Sequence, residues 1–243
     1  MSKKVVKKTT TVKTEIVEET IGEKTLIVSV LDRSGSMRIN NLIDDAIGGY
    51  NQFLEDQKKL EDEATMTTVL FDDEYELLFS NVPVGEVSEF THATWSPRGM
   101  TRLHDAIGKT IADVKSQISK LKKKDRPDKV LVCIVTDGGE NDSKEYNADT
   151  VKKMIKECEK EGWSFIYLGA NQDAFAEGTA FGISGGNTIT FTADAAGMDN
   201  VSMSLSNAAN YYRNTSVNDV NFAVNTSTLM DDYGVSDDED NKE

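Results

Sequence analysis

The segment Leu26-Ile27-Val28-Ser29-Val30-Leu31-Asp32-Arg33-Ser34-Gly35-Ser36 decides how the chain folds. A nearly unbroken apolar run is what a strand covered by helices on both faces requires, whereas a strand with one wet face would alternate. The residues that follow put one carboxylate and two hydroxyls on the loop leaving that buried strand. Oxygen donors of this kind suit a hard divalent cation. A second apolar run, Val130-Leu131-Val132-Cys133-Ile134-Val135-Thr136, is followed at once by Asp137, and Gly99-Met100-Thr101 supplies another hydroxyl. Three loops can therefore converge on one ion.

Outward from these loops the chain alternates between strand and helix patterns. Ile39, Leu42, Ile43, Ala46, Ile47, Tyr50, Phe53 and Leu54 recur with a 3.6-residue period, which predicts an amphipathic helix of four to five turns packed on the sheet. Residues 65–71, the acidic turn Asp72-Asp73-Glu74 and residues 75–79 predict an antiparallel hairpin. Leu103, Ile107, Ile111, Val114, Ile118 and Leu121 predict a helix starting just behind Thr101, with Lys122-Lys123-Lys124 set against its negative C-terminal end.

Beyond Pro127 come a strand at 130–136, a helix marked by Ala148, Val151, Met154, Ile155 and Cys158, and a stop at Gly162. A strand at 163–168, a short helix at 172–181, a strand at 187–191 and a helix at 195–212 complete the pattern. The predicted fold class is α/β: a doubly wound, mostly parallel sheet with one antiparallel edge strand and helices on both faces, Rossmann-like. Ligand sites in such sheets lie beyond the carboxyl ends of the strands, where Asp32 and Asp137 both fall.

Asp-x-Ser-x-Ser at 32–36, the isolated Thr101 and the post-strand Asp137 resemble, in order and spacing, the metal-ion-dependent adhesion site of von Willebrand factor A domains. The resemblance implies a vWA domain over 24–213. It also implies a metal site of Asp32, Ser34, Ser36, Thr101 and Asp137, with hydroxyls and waters in the first shell and the carboxylates acting directly or through water. Mg2+ fits neutral oxygen donors, and Mn2+ or Ca2+ remain open. Such a centre stays underneutralised, so an Asp or Glu of a partner protein can replace water and complete the coordination. Arg33, Met37, Arg38, Met100, Arg102 and His104 are the candidates for the partner-facing loop surface. The alternative is that Asp32 or Ser36 simply caps the helix that follows, or that the pattern persists without needing metal.

The bulk properties narrow the setting. With 243 residues the chain can bury one substantial core, giving one domain with a basic extension at 1–23, possibly with an extra strand near 11–18, and a polar to acidic extension at 214–243. A formal net charge of −15 opposes binding to a phosphate backbone, so nucleic acid is not the expected partner. No segment has the length and apolarity to span a bilayer, and the Lys-rich start lacks the apolar centre of a secretory signal, so a cytoplasmic protein is expected. Cys133 and Cys158, on a strand and a helix, read as buried free thiols.

Other residues carry less. Glu140, Asn141 and Asp142 read as a solvated exit loop rather than a second metal site, His104 as a packing residue rather than a base, and His92 as less informative still. Trp95 reads equally as an exposed contact or as a buried turn anchor. Gly178, Gly182, Gly185 and Gly186 form no phosphate fingerprint and read as turns.

The expected function is a metal-dependent protein-interaction module, an intracellular adaptor or assembly factor. A structural subunit of a larger particle or homo-oligomer is the alternative. A Mg2+-dependent phosphoryl-transfer enzyme is disfavoured, because Ser34 stands where haloacid-dehalogenase-like phosphatases place their second Asp.

Overall fold

The computed structural model describes residues 23–170 and 173–216. The extension at 1–22, with its candidate strand near 11–18, and residues 217–243 lie outside the described part. Six strands form one sheet: β1 (Thr25–Asp32), β2 (Ala64–Phe71), β3 (Tyr75–Pro83), β4 (Lys129–Thr136), β5 (Trp163–Ala170) and β6 (Thr188–Phe191). Their spatial order is β3-β2-β1-β4-β5-β6, with β3 alone antiparallel at the edge. Five helices cover it: α1 (Leu42–Lys58), α2 (Leu103–Lys120), α3 (Ala148–Lys160), α4 (Asp173–Ala180) and α5 (Ala195–Asn214).

The apolar run of β1 is buried at every position because it feeds two cores. Ile27 and Leu31 point to one face, among residues of α1 and α5; Leu26, Val28 and Val30 point to the other, against α2 and α3. That division follows from the two-residue period of a strand. Strand order reverses between β1 and β4, which run side by side in register from Thr25 with Lys129 to Leu31 with Val135. The chain leaves these neighbours toward opposite edges of the sheet, and the crevice between their exit loops is the place such folds offer to a ligand.

Three local expectations need correction. Ile39 does not continue the buried stripe of α1: Gly35–Asn41 form a 3-10 turn, Asn41 takes a left-handed φ of 60°, and the Ile39 side chain faces solvent. β3 runs on to Pro83 through irregular pairing with β2 rather than ending at Phe79. Gly178 lies within α4, not a turn, where a Cβ would come 2.7 Å from the Thr188 hydroxyl and 3.3 Å from the Tyr167 ring. Cys133 and Cys158 are free and buried, as expected.

Candidate metal centre

Asp32 ends β1 with its carboxylate buried, and each oxygen is held. The Ser34 amide donates to Oδ1 at 2.6 Å and the Thr136 hydroxyl, from the end of β4, donates to Oδ2 at 2.6 Å. From there a chain of hydroxyls crosses the crevice. Ser34 Oγ lies 2.9 Å from Ser36 Oγ, and Ser36 Oγ donates to Asp137 Oδ1 at 2.8 Å. Residues 101 positions apart in sequence are thus joined directly. A hydroxyl that gives its single proton to a carboxylate keeps its lone pairs for a cation.

Thr101 reaches the same end of the sheet through backbone contacts. Its amide donates to Asn141 Oδ1 at 2.9 Å and its carbonyl accepts from the Asn141 amide at 3.0 Å, so one asparagine clamps the residue from both sides. The Gly35 amide donates to the Gly99 carbonyl at 3.2 Å, tying the first loop to the second. Gly99 has φ +65°, and a Cβ there would fall 1.7 Å from Asp73 Oδ1; this close approach needs glycine.

Electrostatically the two carboxylates are unsettled. Burial, with a further contribution from the Asp137 charge, pushes Asp32 up to about 7 despite its hydrogen bonds. Burial also raises Asp137. Among the described residues neither has an ion-pair partner. The nearest cation in sequence, Arg33, turns away: it is 5 % exposed, its Nη1 meets Glu76 at 2.5 Å and its Nε lies 3.4 Å from Asp72. Two destabilised anions beside a row of hydroxyls fit a hard divalent cation, which would lower both pKa values. Among the described residues no three His, Cys, Asp or Glu side chains group to hold a metal. Any cation held here would therefore rely on the hydroxyl donors as well.

The six residues expected on the loop surface divide. Met100 is exposed, as is Arg38, whose Nη2 donates to the Pro97 carbonyl at 2.5 Å. Arg102 is half-buried and paired with Asp142 at 2.7 Å, and His104 is half-buried, edge-on to Phe181. Arg33 and Met37 do not belong to that surface: both are buried, Arg33 because its charge is met by the β2–β3 hairpin, Met37 because the 3-10 turn folds it into the core beneath α1.

Sequence reasoning saw only part of the supports of the site. Of the two readings open for Trp95, the buried anchor holds: its indole N–H donates to the Asp32 carbonyl at 2.9 Å, and its ring packs edge-on against Tyr50 and Phe90. Glu140 is no mere solvated residue. Its carboxylate accepts from the amides of His104, Asp142 and Ser143 and from the Ser143 hydroxyl, and although burial opposes ionisation these donors hold its pKa below the usual value. Asp105 does the same for the amides of Lys144, Glu145 and Tyr146. The exit loop of β4 is therefore sewn to the start of α2. A helix start rich in orphan amides facing an acidic loop is the signal that could have revealed this.

Comparison with known proteins agrees with the fold. Proximal thread matrix protein 1 from the mussel byssus has a TM-score of 0.55 at 17% identity, covering 76% of this chain and 46% of that one. The same mussel protein with a zinc occupied MIDAS motif gives 0.54 at 17% identity, covering 78% and 46%. Manganese-loaded TRAP protein of Plasmodium vivax gives 0.53 at 15% identity, covering 76% and 74%. At these identities the likeness concerns the fold, and this chain spans about half the length of the mussel protein. No curated protein matches the chain. The family model of the von Willebrand factor type A domain matches residues 27–202, and with that match the chain belongs to the von Willebrand factor type A domain family.

Proposed function

We propose that this domain is a cation-dependent protein-interaction module. Asp32, Ser34, Ser36, Thr101 and Asp137 would hold one divalent cation, which supplies a positive centre for an Asp or Glu side chain of a partner protein. The observation that carries this reading is the hydrogen-bonded row from Asp32 through Ser34 and Ser36 to Asp137, ending in two carboxylates that burial destabilises. The protein's own part is to fix these oxygens before a ligand arrives, with Trp95, Asn141 and Glu140 as supports.

Mg2+ is the assigned ion because the donors are hard oxygens, several of them neutral. The zinc occupied MIDAS motif of the mussel protein and the manganese loaded on the TRAP protein support divalent binding without choosing among metals. We further assign the role of adaptor or assembly factor in the cytoplasm, a setting that suits two free buried thiols. The test is recovery of partner proteins by the wild type, Asp32→Ala and Thr101→Ala, each with Mg2+ and with chelator. Recovery that needs both the ion and the intact residues supports the reading; equal recovery in every arm rejects it.

A further inference from the structure

A basic tract crosses an otherwise acidic molecule near the amino end of β5. Between residues 115 and 126 stand six cations, Lys115, Lys120, Lys122, Lys123, Lys124 and Arg126, against one carboxylate, Asp125, although the chain's net charge is −15. A cation in the last turn of α2, such as Lys120, answers the negative end of the helix. Lys122, Lys123 and Lys124 stand beyond that turn. All three are exposed, and none has an ion-pair partner among the described residues.

Arg126 folds this tract back on α2. Its Nε donates to the Leu121 carbonyl and its Nη2 to the Ser119 carbonyl, each at 3.1 Å, which leaves Nη1 without a partner among the described residues. A guanidinium fixed in this way loses little freedom when its remaining donors grip a carboxylate. The same side chain lines a groove of about 280 Å³ together with Lys115, Ile118, Ser119, Glu161 and Trp163. Trp163, the first residue of β5, and the partly buried Ile118 make its lining apolar. Lys115 is held across it, 2.8 Å from Glu161 and with its Nζ 6.0 Å from the centre of the Trp163 ring. The space is smaller than a drug-sized ligand requires and suits one large side chain.

We propose that this groove docks an acidic segment of a partner protein. One large apolar side chain of that segment enters beside Trp163 and Ile118, and the Asp or Glu residues flanking it meet Arg126 and the lysines at 120–124. The surface is independent of the cation centre: Val130, the β4 residue paired with Trp163, lies a strand's length, about 23 Å, before Asp137. A bilayer fits worse, because Trp163 is recessed at 8% exposure and does not project as an anchor. Nucleic acid fits worse too, since Glu161 lines the groove and the net charge repels a phosphate backbone. An acidic peptide meets the cations locally and brings the side chain that the groove has room for.

The test titrates the 15N-labelled full chain with two Glu- and Asp-rich peptides, one carrying a central Phe and the other Ser at that position. The proposal expects shifts of the Lys115, Ile118 and Arg126 amides and of the Trp163 indole, equal with Mg2+ and with chelator. The Ser peptide should bind about tenfold more weakly. Arg126→Ala and Lys122→Ala/Lys123→Ala/Lys124→Ala should each weaken the Phe peptide about tenfold, while Lys58→Ala/Lys59→Ala, which removes charge elsewhere, leaves it unchanged. The triple variant alters exposed side chains only, so its fold is retained. Equal binding of the two peptides overturns the proposal, as does equal weakening by the control pair. Binding that needs Mg2+ and shifts only the loops around Asp32 and Asp137 supports the cation site and overturns the groove. Tighter binding of an oligonucleotide or of phosphatidylserine vesicles than of the Phe peptide overturns it as well.

Discussion

The two ends of the sheet treat buried charge in opposite ways. At the amino ends of the strands, Lys129 and Arg213 are buried cations with full complements of partners. Lys129 donates to three carbonyls and pairs with Glu23 at 3.2 Å; Arg213 grips Asp62 through Nε and Nη2, each at 2.8 Å, and donates to the Gln57 carbonyl. At the carboxyl ends, Asp32 and Asp137 are anions held by neutral donors, and Arg33, the nearby cation, serves the β2–β3 hairpin instead. Charge that is closed internally fastens α5 to the sheet. On the proposed reading, the charge left open is the one an external cation would meet.

Among single substitutions, removing a cation from the closed end has the largest expected effect on folding. Arg213→Ala leaves Asp62 and the Gln57 carbonyl without their partner and should cost about 3 kcal/mol in urea denaturation, while Mg2+ binding by the folded protein stays unchanged. Loss of Mg2+ binding in a well-folded variant would erase the contrast between the ends.

The open end should behave inversely with pH. The folded-state value of about 7 for Asp32 exceeds its ordinary 3.8, so the folded chain binds the extra proton. Its contribution is unfavourable above the folded value: with chelator present, stability should fall as pH rises from about 4 to about 7, by about 4 kcal/mol in all, and then level off. Saturating Mg2+ should flatten that slope, and Asp32→Asn should remove its own share of it. A slope identical with and without the ion would mean that the carboxylate is not where the cation acts.

Trp95→Phe retains an aromatic ring beside Tyr50 and Phe90 but strips the Asp32 carbonyl of its donor, at a cost of about 1–2 kcal/mol, with weaker Mg2+ binding by calorimetry. Asn141→Ala should cost about 1 kcal/mol and again weaken the ion, because the Thr101 backbone loses one side-chain acceptor. At the bottom of the scale stands Ile39→Ser, which should leave the melting temperature unchanged because its side chain faces solvent; a marked loss would return Ile39 to the core.

The same division governs what could be read from the sequence. The strands that build both cores were legible because β1, β4 and β5 are apolar along most of their length and β2 is rich in β-branched residues, and the reversal point then located Asp32 and Asp137. The candidate site's residues could be proposed because oxygen donors stood at strand ends. Arg33 was not, since its burial depends on Asp72 and Glu76 in a hairpin that no local pattern connects to it. Ile39 misled because a 3.6-residue period continues smoothly through a 3-10 turn, where the same spacing no longer faces the sheet. Trp95 and Asn141 act through long-range hydrogen bonds, which leave no periodicity.

The central claim is most directly tested by calorimetric titration of Mg2+ and Mn2+ into the wild type, Asp32→Ala and Asp137→Ala, with folding of each checked by circular dichroism. The account predicts one saturable divalent site in the wild type and none in either variant. A folded wild type that takes up neither ion, or variants that bind as it does, would contradict it.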